Sequence, residues 1–255
     1  MATMNVSGVE LEIAERGSGR PLLFLHAGEG LWADRPWLDL LSAQFRVIAP
    51  THPGWGGGSA LPDWIGTVDD LAYLYLDLAR QMELDDAILV GASFGGWIAA
   101  EMAVRNTAAF AKIVLAAPLG IKVGDRDTRD IADMHSMTRE AFVERAWADP
   151  QRDPFDPMAL SDAALKGVVE GREALALFAW KPYMHNPRLK NWLHRIDKPV
   201  QLVWGAQDRI VTPAYGEAFA AAIPGARLAT IADCGHFPMW EQPQAFADHV
   251  KAFAD

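Results

Sequence analysis

Short apolar runs alternate with helix-period segments along most of this 255-residue chain, and that alternation limits the possible folds more than any other feature. Residues 22–25, 45–49, 87–90, 112–116 and 199–204 are near-continuous apolar runs, the pattern of strands buried on both faces. Residues 227–231 supply a sixth run, and 11–14 alternate, as an N-terminal antiparallel strand would. Between the runs, residues 68, 71, 72, 75, 78, 79 and 82 place one apolar face on a helix opening near Thr67. Further helices are expected over 95–105, 214–222 and 244–253. Strands separated by helices require right-handed crossovers, so the class is α/β: a mainly parallel sheet with helices on both faces.

The rhythm fails between residues 119 and 198. No strand pattern occurs there, helical patterns run near 129–147 and 161–180, and prolines at 150, 154, 157, 182 and 187 punctuate the segment. The expectation is a helical cap or lid inserted at 119–198 over the C-terminal edge of a sheet built from 1–118 and 199–255. No internal repeat is visible.

Composition narrows the function classes. Net charge is −10, from 23 basic and 33 acidic residues, which disfavours a nucleic-acid partner. The single cysteine, Cys234, permits no intrachain disulfide and suits a reducing compartment. The first residues lack a basic segment followed by an apolar stretch, so no signal peptide is read there. The longest uncharged apolar stretch, 88–100, is shorter than the roughly 20 residues a membrane span needs. A cytoplasmic protein with no membrane partner is expected.

The chemistry concentrates in Gly91-Ala92-Ser93-Phe94-Gly95, a Gly-x-Ser-x-Gly set between a strand and a helix. A serine at so sharp a turn needs small flanking residues, and the turn leaves its Oγ exposed ahead of the helix. A serine hydroxyl is a weak nucleophile until a base takes its proton. Of seven histidines, His236 lies between the last strand and the last helix, a position that brings it to the same sheet edge as Ser93. The base in turn needs a carboxylate to orient it. Asp208 follows the strand at 199–204, while the rival position after residues 112–116 reads Ala117-Pro118-Leu119-Gly120-Ile121 and offers no acid. Phe94, directly after the serine, supplies one expected oxyanion N–H.

These three segments resemble the nucleophile, acid and histidine motifs of the α/β-hydrolase superfamily, and the order Ser93, Asp208, His236 matches it. The resemblance implies an eight-stranded-type sheet and a capped serine hydrolase. It also places the second oxyanion N–H in Leu25-His26-Ala27-Gly28-Glu29-Gly30, at Gly28, with Ala27 the alternative. Ala27 stands where glycine is usual, and His26 is read as ordering the loop. Residues 49–59 resemble the family's Asp-x-x-Gly-x-Gly-x-Ser loop, with Thr51 in place of the aspartate.

Glu29 is read as a solvated loop residue or a substrate contact. Further pocket candidates are Trp32, with Trp37 beside it, and Met134, Met137, Trp147, Phe178, Trp180 and Tyr183 from the insertion; together they suggest an uncharged or weakly polar small molecule. No metal motif, paired cysteines or dinucleotide fingerprint occurs, so no cofactor is expected. The resulting reading is an ester hydrolase working through an acyl-enzyme. The alternatives are a carbon–carbon bond hydrolase of the diketone-cleaving type, a cofactor-free perhydrolase, and a non-catalytic ligand-binding protein on the same scaffold.

Overall fold

The computed structural model describes residues 2–31, 35–56 and 60–255. Eight strands form one sheet: β1 (Ala2–Val6), β2 (Val9–Arg16), β3 (Arg20–Leu25), β4 (Phe45–Pro50), β5 (Ala87–Ala92), β6 (Phe110–Ala116), β7 (Val200–Gly205) and β8 (Arg227–Ile231). Their order is β1-β2-β4-β3-β5-β6-β7-β8. β1 and β2 pair antiparallel, β2 pairs antiparallel with β4, and every remaining pairing is parallel. β1 has no counterpart in the sequence reading. It joins β2 through Ser7 and Gly8, both at positive φ (51° and 88°), which gives the turn a twist that suits a two-residue hairpin.

The helices are α1 (Pro36–Ser42), α2 (Val68–Gln81), α3 (Phe94–Arg105), α4 (Arg139–Ala146), α5 (Asp162–Ala179), α6 (Leu189–Trp192), α7 (Pro213–Ala221), α8 (Pro238–Glu241) and α9 (Pro243–Ala254). α2 opens where expected: Thr67 Oγ1 accepts from Asp70 N–H while the Asp70 carboxylate accepts from Thr67 N–H, a reciprocal capping box.

Alternate residues of each central strand feed different cores. Leu23, Leu25, Leu89, Ile113, Leu115, Leu202 and Trp204 pack on the face covered by α2, α3 and α7. Leu22, Phe24, Ile88, Val90, Val114 and Val203 pack on the face covered by α1, α8 and α9. Burial on both faces is why these strands read as continuous apolar runs.

Residues 119–198 hold α4, α5, α6 and two short 3-10 turns, with no strand of the sheet. The helical pattern near 129–147 is corrected: only Arg139–Ala146 is helical. The earlier half is drawn out of helix by better partners. Asp130 accepts from the N–H groups of Val123 and Gly124 and pairs with Lys122, and Ile131 bridges Val211. Ser161 Oγ caps α5 by accepting from Ala164 N–H.

The sheet reverses direction of winding between β3 and β5, since β4 lies on one side of β3 and β6 on the far side of β5. Loops leaving two neighbouring parallel strands in opposite directions open a crevice at their C-terminal ends. The loop after β3 and the turn after β5 both end there.

Candidate active site

Ser93 joins β5 directly to α3 with φ 51° and ψ −113°, a conformation costly for a residue bearing a Cβ. Its surroundings hold it there. Its N–H donates to Ala116 O (2.8 Å), and its carbonyl accepts from Trp97 N–H and Leu119 N–H (both 3.1 Å). The flanking glycines are steric necessities. A Cβ on Gly91 would lie 2.4 Å from Gly95 O, and one on Gly95 would lie 2.2 Å from Leu25 O.

His236 Nε2 lies 2.8 Å from Ser93 Oγ, and its Nδ1 lies 2.8 Å from Asp208 Oδ2. All three residues are buried. The second Asp208 oxygen accepts from Ile210 N–H (2.8 Å) and Val211 N–H (3.0 Å), so the carboxylate cannot turn. A carboxylate oxygen accepting at Nδ1 puts the histidine proton there and leaves Nε2 to accept from the serine hydroxyl.

The histidine loop is fastened to the segment between β6 and β7. His236 N–H donates to Ala146 O at the end of α4 (2.6 Å). The buried Glu241 carboxylate accepts from Gly235 N–H (2.6 Å) and Asp149 N–H (2.9 Å), tying the histidine loop to the chain beyond α4. Arg209, beside Asp208, donates from its backbone to Arg145 O (3.2 Å) and from Nη2 to Trp147 O (3.1 Å). The Cys234 thiol is buried and pushed up, first by burial and then by Glu241 and Asp208, which leaves it a poor nucleophile.

Phe94 opens α3, so its N–H has no acceptor within the helix. The loop carrying Ala27 and Gly28 lies beneath α5, with Ala27 buried and Gly28 half-buried, and a Cβ on Gly28 would lie 2.8 Å from Leu175 Cδ2. Its carbonyls are occupied in succession. His26 O lies 3.0 Å from His52 Nε2, Ala27 O accepts from Gly30 N–H (2.9 Å) and lies 2.6 Å from His26 Nδ1, and Gly28 O accepts from the Trp55 indole N–H (2.8 Å). Burial pushes the His26 imidazole down to about 3, against the pull of Ala27 O, and Arg35 lowers it further. Burial also holds His52 well below its ordinary value, and the neighbouring His26 adds to this. Both rings are therefore neutral.

Glu29 is not a solvated loop residue: it is partly buried. Burial raises its carboxyl pKa, Arg172 and Arg139 oppose the shift, Asp153 adds to it, and His236 opposes it more weakly. The Glu29 carboxyl thus lies within electrostatic reach of the His236 imidazole.

The pocket candidates separate. Trp32 lies outside the described residues. Phe178 is buried and stacks on Trp55 (6.2 Å between centroids), which stacks on Phe94 (5.5 Å). Met134 and Met137 are half-buried at the margin of the core. Tyr183 is tied into the insertion, its hydroxyl accepting from Met134 N–H and donating to Ala132 O. Trp180 is 60% exposed with its ring edge on His135, a correction to its reading as pocket lining. Trp147 and Trp37 are core residues, packed on Phe237 and Phe24 respectively. His52, Trp55, Tyr75, Arg172 and Glu241 escaped the sequence reading. Of these, only Trp55 and His52 carried a signal, their place in the glycine-rich loop after β4.

A model of the alpha/beta hydrolase family matches residues 22–249. This chain is an alpha/beta hydrolase. It is 32% identical to the dihydrolipoyllysine-residue acetyltransferase component of the acetoin cleaving system of Cupriavidus necator, over 97% of this chain and 67% of that protein. It is 27% identical to the 2-hydroxy-6-oxononadienedioate/2-hydroxy-6-oxononatrienedioate hydrolase of Klebsiella pneumoniae, over 96% of this chain and 91% of that one. The pimeloyl-acyl-carrier-protein methyl ester esterase of Aromatoleum aromaticum is 31% identical over 88% of this chain and 94% of its own length. In fold, the hydrolase resembles a variant of the meta-cleavage product hydrolase of Pseudomonas fluorescens, with a TM-score of 0.79, 18% identity and coverage of 99% and 97%. Among the described residues of the hydrolase, no group of three or more His, Cys, Asp or Glu is placed to hold a metal ion, and no helix is long and apolar enough to cross a membrane.

Proposed function

We propose that this alpha/beta hydrolase cleaves the acyl bond of a small-molecule carboxylic ester through a covalent acyl-enzyme. The observation that carries the reading is the unbroken chain from Ser93 Oγ through His236 to Asp208, at 2.8 Å for each link. Ser93 Oγ attacks the ester carbonyl while its proton passes to His236 Nε2. The C=O electron pair moves onto oxygen, where the N–H of Phe94 and that of Gly28 or Ala27 stabilise it. Collapse of the tetrahedral species breaks the C–O bond, and His236 returns its proton to the departing alkoxide. Water then attacks the acyl carbon with His236 again accepting a proton, and the acid leaves as Ser93 recovers its own. Asp208 orients the imidazole and stabilises its charged form. Residues 119–198 serve as the lid in this reading, because Leu175 and Phe178 of α5 lie over the oxyanion loop and Phe94. The Aromatoleum relative's name supports ester cleavage.

A second reading, carbon–carbon bond hydrolysis of a diketone, is favoured by the name of the Klebsiella relative. The sequence Ala27-Gly28-Glu29-Gly30 counts against it, because the diketone-cleaving enzymes that the chain resembles carry a Gly-Gly-Gly-Pro type loop there. A panel of p-nitrophenyl esters of graded chain length, assayed beside an amide and a vinylogous diketone, separates the two. Ester turnover exceeding diketone turnover is expected. Good diketone turnover with no ester turnover overturns the first reading.

A further inference from the structure

The loop after β3 does not aim its own N–H groups. A peptide unit is planar and trans, so fixing the carbonyl of one residue sends the N–H of the next in the opposite direction. His26 O therefore governs Ala27 N–H, and Ala27 O governs Gly28 N–H, the two candidates for the second oxyanion donor. What fixes those carbonyls is a buried cluster outside the triad: His26, His52 of the loop after β4, and Tyr75 of α2, all at or near zero exposure.

The protons of this cluster can be placed from its partners. His52 N–H donates to His26 Nε2 (2.9 Å), so that nitrogen carries no proton, and His26 Nδ1–H donates to Ala27 O. His52 Nε2 faces His26 O, which only accepts, so its proton is on Nε2. His52 Nδ1 is then the acceptor for the Tyr75 hydroxyl. The two imidazole rings lie with centroids 3.6 Å apart, tilted by 36°. Four hydrogen bonds thus run in one direction from Tyr75 to the oxyanion loop, each donor and acceptor matched. The turn at Ser93 sits against the same backbone, since a Cβ on Gly95 would lie 2.4 Å from His26 O.

We propose that His52 is a positioning residue for the oxyanion donors, clamping His26 through both its backbone N–H and its ring, with Tyr75 holding the ring in register. The inference rests on the acyl-transfer reading for its catalytic meaning, but the proton placement stands apart from it. His52→Leu removes the ring donor and frees His26 O. His52→Gln keeps a donor near the position of Nε2. His52→Leu should lower kcat by about tenfold or more, with KM within about threefold, because aim matters only where charge develops. Binding of a trifluoromethyl ketone, which captures the oxyanion, should weaken in parallel, while binding of the product acid is unchanged. His52→Gln should recover most of the loss, and Tyr75→Phe should fall between.

The tautomer is read directly by long-range 1H–15N NMR of the wild-type protein, which does not depend on any variant folding. A proton on His52 Nε2 supports the proposal, and one on Nδ1 overturns it. Equal losses in kcat and product binding, or full activity in His52→Leu, overturn the positioning role while leaving the hydrolase reading intact. A wild-type protein that turns over no ester and captures no trifluoromethyl ketone sinks both.

Discussion

Gly205 offers the sharpest steric test of how the site is held. It ends β7, pairs with Ile231 of β8, and meets the histidine loop from below. A Cβ built there would lie 1.9 Å from Gly235 O and 2.4 Å from Cys234 O, where real Cβ atoms essentially never come within 3.0 Å. Gly205→Ala therefore demands at least 1.1 Å of movement (3.0 − 1.9). β7 is bonded to a strand on each side and cannot yield. The shift falls on residues 234–236, whose positions are set by Ala146 O, Glu241 and Gln207. Overpacking of this kind costs about 2–4 kcal/mol. For a chain of this size that lowers Tm by roughly 5–15 °C. A displacement of about 1 Å in the base should cost about 100-fold in kcat, even in the fraction that remains folded. Scanning calorimetry and p-nitrophenyl ester turnover at a temperature well below Tm measure the two effects separately. A Tm within about 2 °C of wild type together with kcat within about twofold would refute the steric argument.

Other outcomes follow from the same geometry. Asp208→Asn should fold, yet its amide N–H cannot accept from His236 Nδ1, so kcat should fall by about 10,000-fold, checked by single-turnover assay. Glu241→Gln keeps one acceptor for two N–H groups, that of Gly235 buried and that of Asp149 partly so; urea melts should show a loss of about 1–3 kcal/mol and, through Gly235, a smaller drop in kcat. His26 is neutral in the folded protein down to about pH 3, whereas in the unfolded chain it protonates below about 6.5. The unfolded state binds more protons across that window, so stability should fall as pH drops through it, by about 1.4 kcal/mol per unit for this one histidine. Melts at pH 7, 6 and 5 check the sign, and His26→Gln should flatten the slope.

The parts of this enzyme legible in sequence are those in which one local pattern serves one purpose. Residues 22–25 and 87–90 read as strands because burial on both faces leaves no polar position. Ser93 reads as a nucleophile because its glycines answer to two backbone clashes, with Gly95 O and Leu25 O. The missed features depend on partners distant in the chain. Glu241 looks like an ordinary helix-start acid until Asp149 and Gly235 come to it from opposite sides. Tyr75 satisfies the apolar period of α2, and nothing local shows that its hydroxyl meets His52. Residues 129–138 have helical periodicity but give it up to Asp130 and to the bridge with Val211, which only the tertiary fold provides. Glu29 misled because a loop carboxylate is usually solvated, whereas this one is partly buried, with Arg172, Arg139 and Asp153 in its electrostatic surroundings.

The central claim is that Ser93 is the nucleophile and His236 its base. Intact-mass analysis after exposure to a fluorophosphonate tests it most directly, since that reagent phosphonylates a serine only when its hydroxyl is activated. The account predicts a single adduct on Ser93, absent in Ser93→Ala and formed far more slowly in His236→Ala. A folded wild-type protein that gains no adduct, or gains one elsewhere while Ser93 stays free, would contradict it.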